Sequence, residues 1–445
     1  MLVLSAAIVC TAVPQLKSHD PPKVLELSPA NRARDVDPKA VTQLKVIFDR
    51  AMNTNGWSLC GGGPNYPKLK GRPAWKDAKT LVCDVELEPN HRYELLLNCP
   101  AAQNFKSAAG VALPSTPWSF KTGSGAPPAP LTERQKARNK AALDKLTKTL
   151  AEHYSYYDLR VKDWAKLVKE HTPELLNANS DLDWANAAAA MLTATEDIHM
   201  HLECQGEQFS TGSRAVDSLY RHDLLQKYLT LETDRDQLVS GVTRDHIGYL
   251  MIGSWTKDVD LDAAEHALAE LLHTKAMIVD ARPNCGGGED LALRVAAWFV
   301  EGTRTYAKDR FRLRAGKDGF GQVLDRTITG NADASRRYTA PIAVLTSKYV
   351  MSSNESFVMM LRQAKDCTVV GQATYGSSGN PRPYDLDNGV KIIIPSWQDL
   401  RLDGTCLEGE GLAPDVEVKF DVAELERRDP ILERALEVLR GKRLQ

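Results

Sequence analysis

The stretch that most limits what this chain can fold into is Ala276-Met277-Ile278-Val279-Asp280-Ala281-Arg282-Pro283-Asn284-Cys285-Gly286-Gly287-Gly288. Its first part is a short, continuous apolar run, the pattern of a strand buried on both faces. Its second part leaves that strand through a proline into consecutive glycines, a loop where backbone must come close to something. The surroundings fit an α/β reading. Ile247–Ile252 is a candidate strand, and Asp260–His273 is a candidate helix with Leu261, Ala264, Leu268 and Leu271 on one side. Strand, helix, strand in this order implies a right-handed crossover and neighbouring strands in one sheet. Ile342–Thr346, Thr368–Gly371, Val390–Ile394 and Val416–Val418 are further candidate strands, and a closing helix starts at Asp429-Pro430.

A second stretch sits where chemistry is expected. After the apolar run Pro341–Thr346 comes Val350-Met351-Ser352-Ser353-Asn354-Glu355-Ser356-Phe357, with Phe357, Met360 and Leu361 on one helical face. A strand, a short turn carrying a serine and a helix N-terminus suit a nucleophile, because the free N–H groups and helix dipole favour negative charge there. The expectation is that Ser352 attacks a carbonyl while backbone at Gly286 and Gly287 holds the oxyanion. A phosphate loop is disfavoured, since no Gly-Lys-Ser/Thr follows the glycines.

At these residues the sequence resembles the C-terminal processing and tricorn-type serine peptidases, the tail-specific protease family. The family's strand ending Asp-x-Arg-x-Asn-x-Gly-Gly is matched by Asp280, Arg282, Asn284, Gly286 and Gly287. Its Ser-x-x-Glu is matched by Ser352 and Glu355, and its Glu-Gly-x-Gly-x-x-Pro-Asp by Glu408 through Asp415. The resemblance spans residues 133–420 and implies a ClpP/crotonase-like α/β peptidase core over residues 201–445. In this register Ser352 is the nucleophile, Ser353 gives a backbone N–H to the oxyanion hole, and Asp280 and Arg282 brace the loop. The processing branch takes its base from a lysine 25 residues after the serine; that position here is Ser377, in Thr374-Tyr375-Gly376-Ser377-Ser378-Gly379. The tricorn-type branch uses a histidine, matched by His199 in Asp197-Ile198-His199, with Glu408 as the matching carboxylate. That branch relays through a serine beside the histidine, where this chain has Ile198, so the relay does not carry over; water, Asp197 and Thr195 are the candidates to replace it. An imidazole suits a general base at neutral pH. His201 is its competitor, and Glu355 has a plain alternative as a favourable first-turn acid. Competing readings are a ligand-binding protein on the same fold with a decayed site, like the retinoid-binding relatives, and a serine esterase.

The rest of the chain frames this core. Residues 20–122 read as short strands between Pro, Gly and Asn turns, such as Leu44–Phe48, Leu81–Val85 and Tyr93–Leu97. They suggest a β-sandwich, and their pattern resembles the bacterial Ig-like modules appended to exported proteins. Residues 123–132 are a Pro/Gly linker, and residues 133–200 form a helical segment with Leu143, Leu146 and Leu150 at helical spacing and helix starts at Asp163-Trp164 and Asp183-Trp184. Only about forty residues separate His201 from Thr243, too few for a PDZ module. Residues 1–19 read as a leader, with Met1–Ala12 resembling the apolar part of an export signal, which places the protein in the periplasm or outside the cell. A formal charge of −2 gives no nucleic-acid footprint, and no later apolar run reaches the length of a membrane span. Without Cys10 seven cysteines remain, none in a Cys-x-x-Cys pair; Cys83 and Cys99 are the candidate disulfide. The expected partner is a protein or peptide substrate, with no metal or cofactor, and the oligomeric state is left open.

Overall fold

The structure is a computed structural model that describes residues 21–99, 102–108, 110–125, 131–212 and 216–442. The leader read at 1–19, with Cys10, and residues 126–130 of the linker lie outside the described residues. The chain divides into two compact units, Met1–Pro130 and Leu131–Gln445.

The first unit is all-β among its described residues. One sheet runs Val24–Ser28, Gln43–Phe48, Thr80–Glu86, Lys68–Leu69, with Ala74–Trp75 also paired to Thr80–Glu86. The other runs Ala33–Val36, Thr116–Thr122, Arg92–Leu97, Leu59–Cys60. Alternation sends Leu44, Val46 and Phe48 inward from one sheet and Tyr93, Leu95, Trp118 and Phe120 inward from the other, into one shared core. The expected Cys83–Cys99 bridge does not form; Cys99 pairs with Cys60, and Cys83 is a buried free thiol. The reason is topological. Cys83 lies on Thr80–Glu86, in the opposite sheet from the Arg92–Leu97 strand that leads into Cys99, so proximity in sequence does not become proximity in space.

The second unit is built on a seven-stranded sheet in the order Leu229–Arg235, Leu238–Thr243, Ile247–Ile252, Ala276–Asp280, Ile342–Thr346, Cys367–Gly371, Val416–Glu417. The first three strands are antiparallel and the rest parallel. Alternate residues feed two cores. Met277, Val279, Ile342 and Val344 face the helices Leu261–Leu271, Glu289–Ala296 and Ser353–Leu361. Ala276, Ile278, Ala343 and Leu345 face Ile431, Leu432, Leu436 and Leu439 of the closing helix Pro430–Lys442. Every residue of the two central strands is buried, which is why they read as unbroken apolar runs.

Helices Glu133–His153, Trp164–Leu176 and Asp181–Leu192 form a further layer. Asp163 caps the second of them as expected, whereas the third begins earlier than Asp183, capped by the Ser180 side chain. This layer shares one core with strands from 201–210 and 381–395: Leu146, Leu150 and Trp184 pack with Leu202, Phe209, Ile392 and Ile394. The helices therefore do not form a body ending at residue 200. His201–Cys204 pairs with both Glu207–Ser210 and Val390–Pro395, and the latter with Pro381–Asp385. Two hairpins, within 201–210 and 229–243, and a short helical turn at His222–Lys227 lie in the described part of the interval between His201 and Thr243.

Candidate active site

The parallel strands bring the two sequence stretches together. Ala276–Asp280 and Ile342–Thr346 are neighbours, so the loops leaving their C-terminal ends lie side by side, the usual place for a site in such a sheet. The next strand, Cys367–Gly371, delivers the Thr374–Gly379 turn to the same end. That turn runs on into the Pro381–Asp385 and Val390–Pro395 hairpin, whose second strand pairs with the one that begins two residues after His199. The histidine loop and the turn are thus fixed by a common hairpin.

Ser352 precedes the helix Ser353–Leu361 with φ 58° and ψ −137°, a conformation that residues with a Cβ avoid. Its N–H donates to Ser377 O at 2.8 Å, which holds the turn of chain in place. His199 Nε2 stands 3.0 Å from Ser352 Oγ, and His199 Nδ1 stands 3.0 Å from Ser377 Oγ. The histidine's own N–H donates to Asp197 Oδ1 at 2.9 Å, and Asp197 Oδ2 accepts from Tyr154 at 2.8 Å. His201 instead faces Glu203 at 3.6 Å from its strand.

The glycine loop is shaped by close approach. A Cβ on Gly286 (φ 107°) would lie 2.8 Å from Ser352 Cβ, and one on Gly287 (φ 139°) would lie 2.1 Å from Trp255 O. Gly286 N–H donates to Asn284 Oδ1 at 2.8 Å. It is therefore spent inside the loop, contrary to its expected place as an oxyanion donor, because an Asn two residues earlier closes the turn. The N–H groups of Gly287 and Ser353 have no protein acceptor among the described residues. Asn354, fully buried, ties the serine helix to this loop: its Nδ2 donates to Ala281 O at 2.9 Å and Asn284 O at 2.8 Å, and its Oδ1 accepts from Trp255 Nε1 at 3.1 Å. Arg282, also fully buried, pairs with Asp280 and Asp429, which anchors the base of the loop to the closing helix.

Two buried carboxylates hold the Thr374–Gly379 turn. Glu355 accepts from the Thr374 hydroxyl, from Gly376 N at 2.8 Å and from Ser377 N at 3.0 Å. Burial pushes its carboxyl up to about 7 against these three donors. Glu408 accepts from Ser378 N at 3.1 Å with one oxygen and from Arg160 with the other. Burial, reinforced by Asp197, pushes Glu408 up, and the Arg160 guanidinium opposes this. The structure thus brings Ser352 and His199 into hydrogen-bond reach, while both Glu408 oxygens face Arg160 and the turn. Asp399 accepts from Ser378 Oγ at 2.9 Å, giving that turn a third carboxylate.

Sequence reasoning missed Ser377 as the Nδ1 partner, although it stands 25 residues after Ser352, where the processing branch has its lysine. It also missed Arg160, which lies 248 residues from Glu408 in sequence and carries no local motif. Among the described residues no group of three or more His, Cys, Asp or Glu side chains is arranged to hold a metal. No helix among them is long and apolar enough to cross a membrane.

A strained serine at a strand-to-helix turn, an imidazole within reach and backbone N–H groups beside it are the parts from which a serine-hydrolase type of site is built. Residues 246–418 match the model of Peptidase family S41, a match that contains Ser352 and Glu408 and stops short of His199. In that stretch the chain is similar to the tail-specific protease family. It is 24% identical over 195 residues to the carboxy-terminal processing protease CtpA of Bacillus subtilis, covering 43% of this chain and 39% of the relative. To the chloroplastic carboxyl-terminal-processing peptidase 2 of Arabidopsis thaliana it is 25% identical over 237 residues, 50% of this chain and 44% of the relative. The matches thus span less than half the length of these relatives. Among solved structures, a candidate peptidase of Parabacteroides merdae superposes with a TM-score of 0.59 at 22% identity, covering 68% of this chain and 96% of that one. Mature CPAF complexed with lactacystin gives 0.51 at 12% identity, covering 68% and 98%. These superpositions speak to the fold alone.

Proposed function

We propose that residues 131–445 hydrolyse peptide bonds of protein or peptide substrates through an acyl-enzyme on Ser352, with His199 as general base. The observation that carries this is the 3.0 Å contact between His199 Nε2 and Ser352 Oγ, reached from two layers of the fold. Ser352 Oγ bonds to the substrate carbonyl carbon as its proton passes to Nε2, and the carbonyl electron pair moves to oxygen. The Gly287 and Ser353 N–H groups are the donors for that oxyanion, with Gly286 serving to let the loop approach. Collapse breaks the C–N bond, and the Nε2 proton leaves with the amine; water then reverses the sequence on the ester. Glu408 supports the base at one remove, through the turn that carries Ser377 and Ser378.

The reading is tested by incubating the protein with an unstructured protein such as casein and sequencing the new termini. Cleavage by the wild type, lost in Ser352→Ala, is expected. Ligand binding without cleavage would favour the binding-protein alternative. For the first unit we propose an Ig-like spacer or adhesion role. The Cys60–Cys99 disulfide supports an oxidising, exported location, and the parallel-stranded core supports kinship with the ClpP/crotonase fold.

A further inference from the structure

We propose that Ser377 is the positioning residue of His199, doing with a hydroxyl what a carboxylate does in other Ser-His sites; this rests on the reading of Ser352 and His199 given above. Three observations carry it. Ser377 Oγ lies 3.0 Å from His199 Nδ1 on the side of the ring opposite to Ser352, which lies 3.0 Å from Nε2. Ser377 is fully buried, so no bulk water competes for that contact. Its backbone is fixed twice, since its N–H donates to Glu355 at 3.0 Å and its carbonyl accepts from Ser352 N at 2.8 Å. The residue that aims the imidazole is therefore tied to the helix and the turn that aim the nucleophile.

The chemistry follows from the hydroxyl. In the working tautomer Nδ1–H donates to Ser377 Oγ and leaves the Nε2 lone pair free for the Ser352 proton. When Ser352 Oγ bonds to the carbonyl carbon, that proton moves to Nε2 and the imidazolium keeps its Nδ1–H on Ser377. When the C–N bond breaks, the Nε2 proton departs with the amine, so Ser377 neither gains nor loses a proton in the cycle. A hydroxyl can also donate, which would put the ring proton on Nε2 and idle the base; a carboxylate partner cannot do this. Among the described residues, the charged side chains near the pair include Asp197 on the histidine loop, Glu355 of the serine helix, Glu408 beside the turn and Arg160 of the helical layer, with Tyr154 on Asp197. Ser377 is the side chain that meets the ring at Nδ1.

The test follows the His199 ring by long-range proton–nitrogen NMR across pH 5–9 and, in parallel, the rate at which a fluorophosphonate probe labels Ser352. Ser377→Ala is expected to lower the His199 titration midpoint by about one unit, a tenfold change in the ionisation constant. It is also expected to slow labelling about ten- to a hundredfold at its plateau. Ser377→Thr, which keeps the hydroxyl, should stay within tenfold of wild type and hold the midpoint. An unchanged midpoint in Ser377→Ala overturns the proposal, since a merely structural role would slow labelling without moving the titration. A midpoint shift in Ser377→Ala together with no labelling of the wild type would sink the peptidase reading and leave the positioning contact standing.

Discussion

Gly287→Ala puts the oxyanion loop to a quantitative test. A Cβ at this residue would sit 2.1 Å from Trp255 O, well inside the 3.4 Å at which ordinary contact begins. Trp255 O cannot retreat freely, because it accepts from Gly288 N at 2.6 Å, while Trp255 N donates to Gly286 O at 3.1 Å. The backbone at φ 139° is itself costly for an alanine, by about 1–3 kcal/mol, and overpacking adds about 1–3 kcal/mol. The expected destabilisation is therefore about 2–6 kcal/mol, read by urea unfolding. Gly206→Ala is the control: φ is 81° and nothing lies within 4 Å of the new Cβ, so only the conformational cost of about 1–2 kcal/mol remains. Displacing the Gly287 N–H should also slow fluorophosphonate labelling about 100- to 1,000-fold, the usual cost of one oxyanion donor. Labelling of folded Gly287→Ala within threefold of wild type would refute the assignment of that N–H.

Asn354→Ala removes three buried hydrogen bonds and should cost about 3 kcal/mol or more, with a slower reaction at Ser352; stability within 1 kcal/mol of wild type by urea unfolding would contradict the tie between helix and loop. Glu355 holds its proton to about 7 in the folded chain against an ordinary 4.5, so the folded state binds more protons between those values and stability falls as pH rises through them. The loss amounts to about 3 kcal/mol, and Glu355→Gln should abolish it; equal slopes of stability against pH in the two proteins would rule this out. A chain beginning at Leu131 should fold and label at the wild-type rate, because the two units have separate cores; loss of the unfolding transition on truncation would show otherwise.

How much of this was legible in the sequence depends on the range of each contact. Ala276–Asp280 and Ile342–Thr346 were readable because strands buried on both faces admit only apolar residues. Ser352 and the glycines followed from the loops those strands must feed. The Cys60–Cys99 pairing was not readable, since nothing local says which sheet a strand will join. Nor was the sharing of one core by the 133–200 helices and the 381–395 hairpin, a contact made between segments some two hundred residues apart. Gly286 shows a subtler limit. A glycine demanded by close approach looks the same in sequence as one that donates to an oxyanion, and only the Asn284 side chain on its N–H tells them apart.

The central claim, that Ser352 and His199 act as nucleophile and base, is tested most directly by mass spectrometry of the fluorophosphonate adduct. Wild-type protein should carry a single adduct on the peptide containing Ser352. Labelling should be at least a hundredfold slower in His199→Gln and absent in Ser352→Ala, because the 3.0 Å contact is the route by which the hydroxyl loses its proton. An adduct on another residue, or His199→Gln labelled as fast as wild type, would contradict the account.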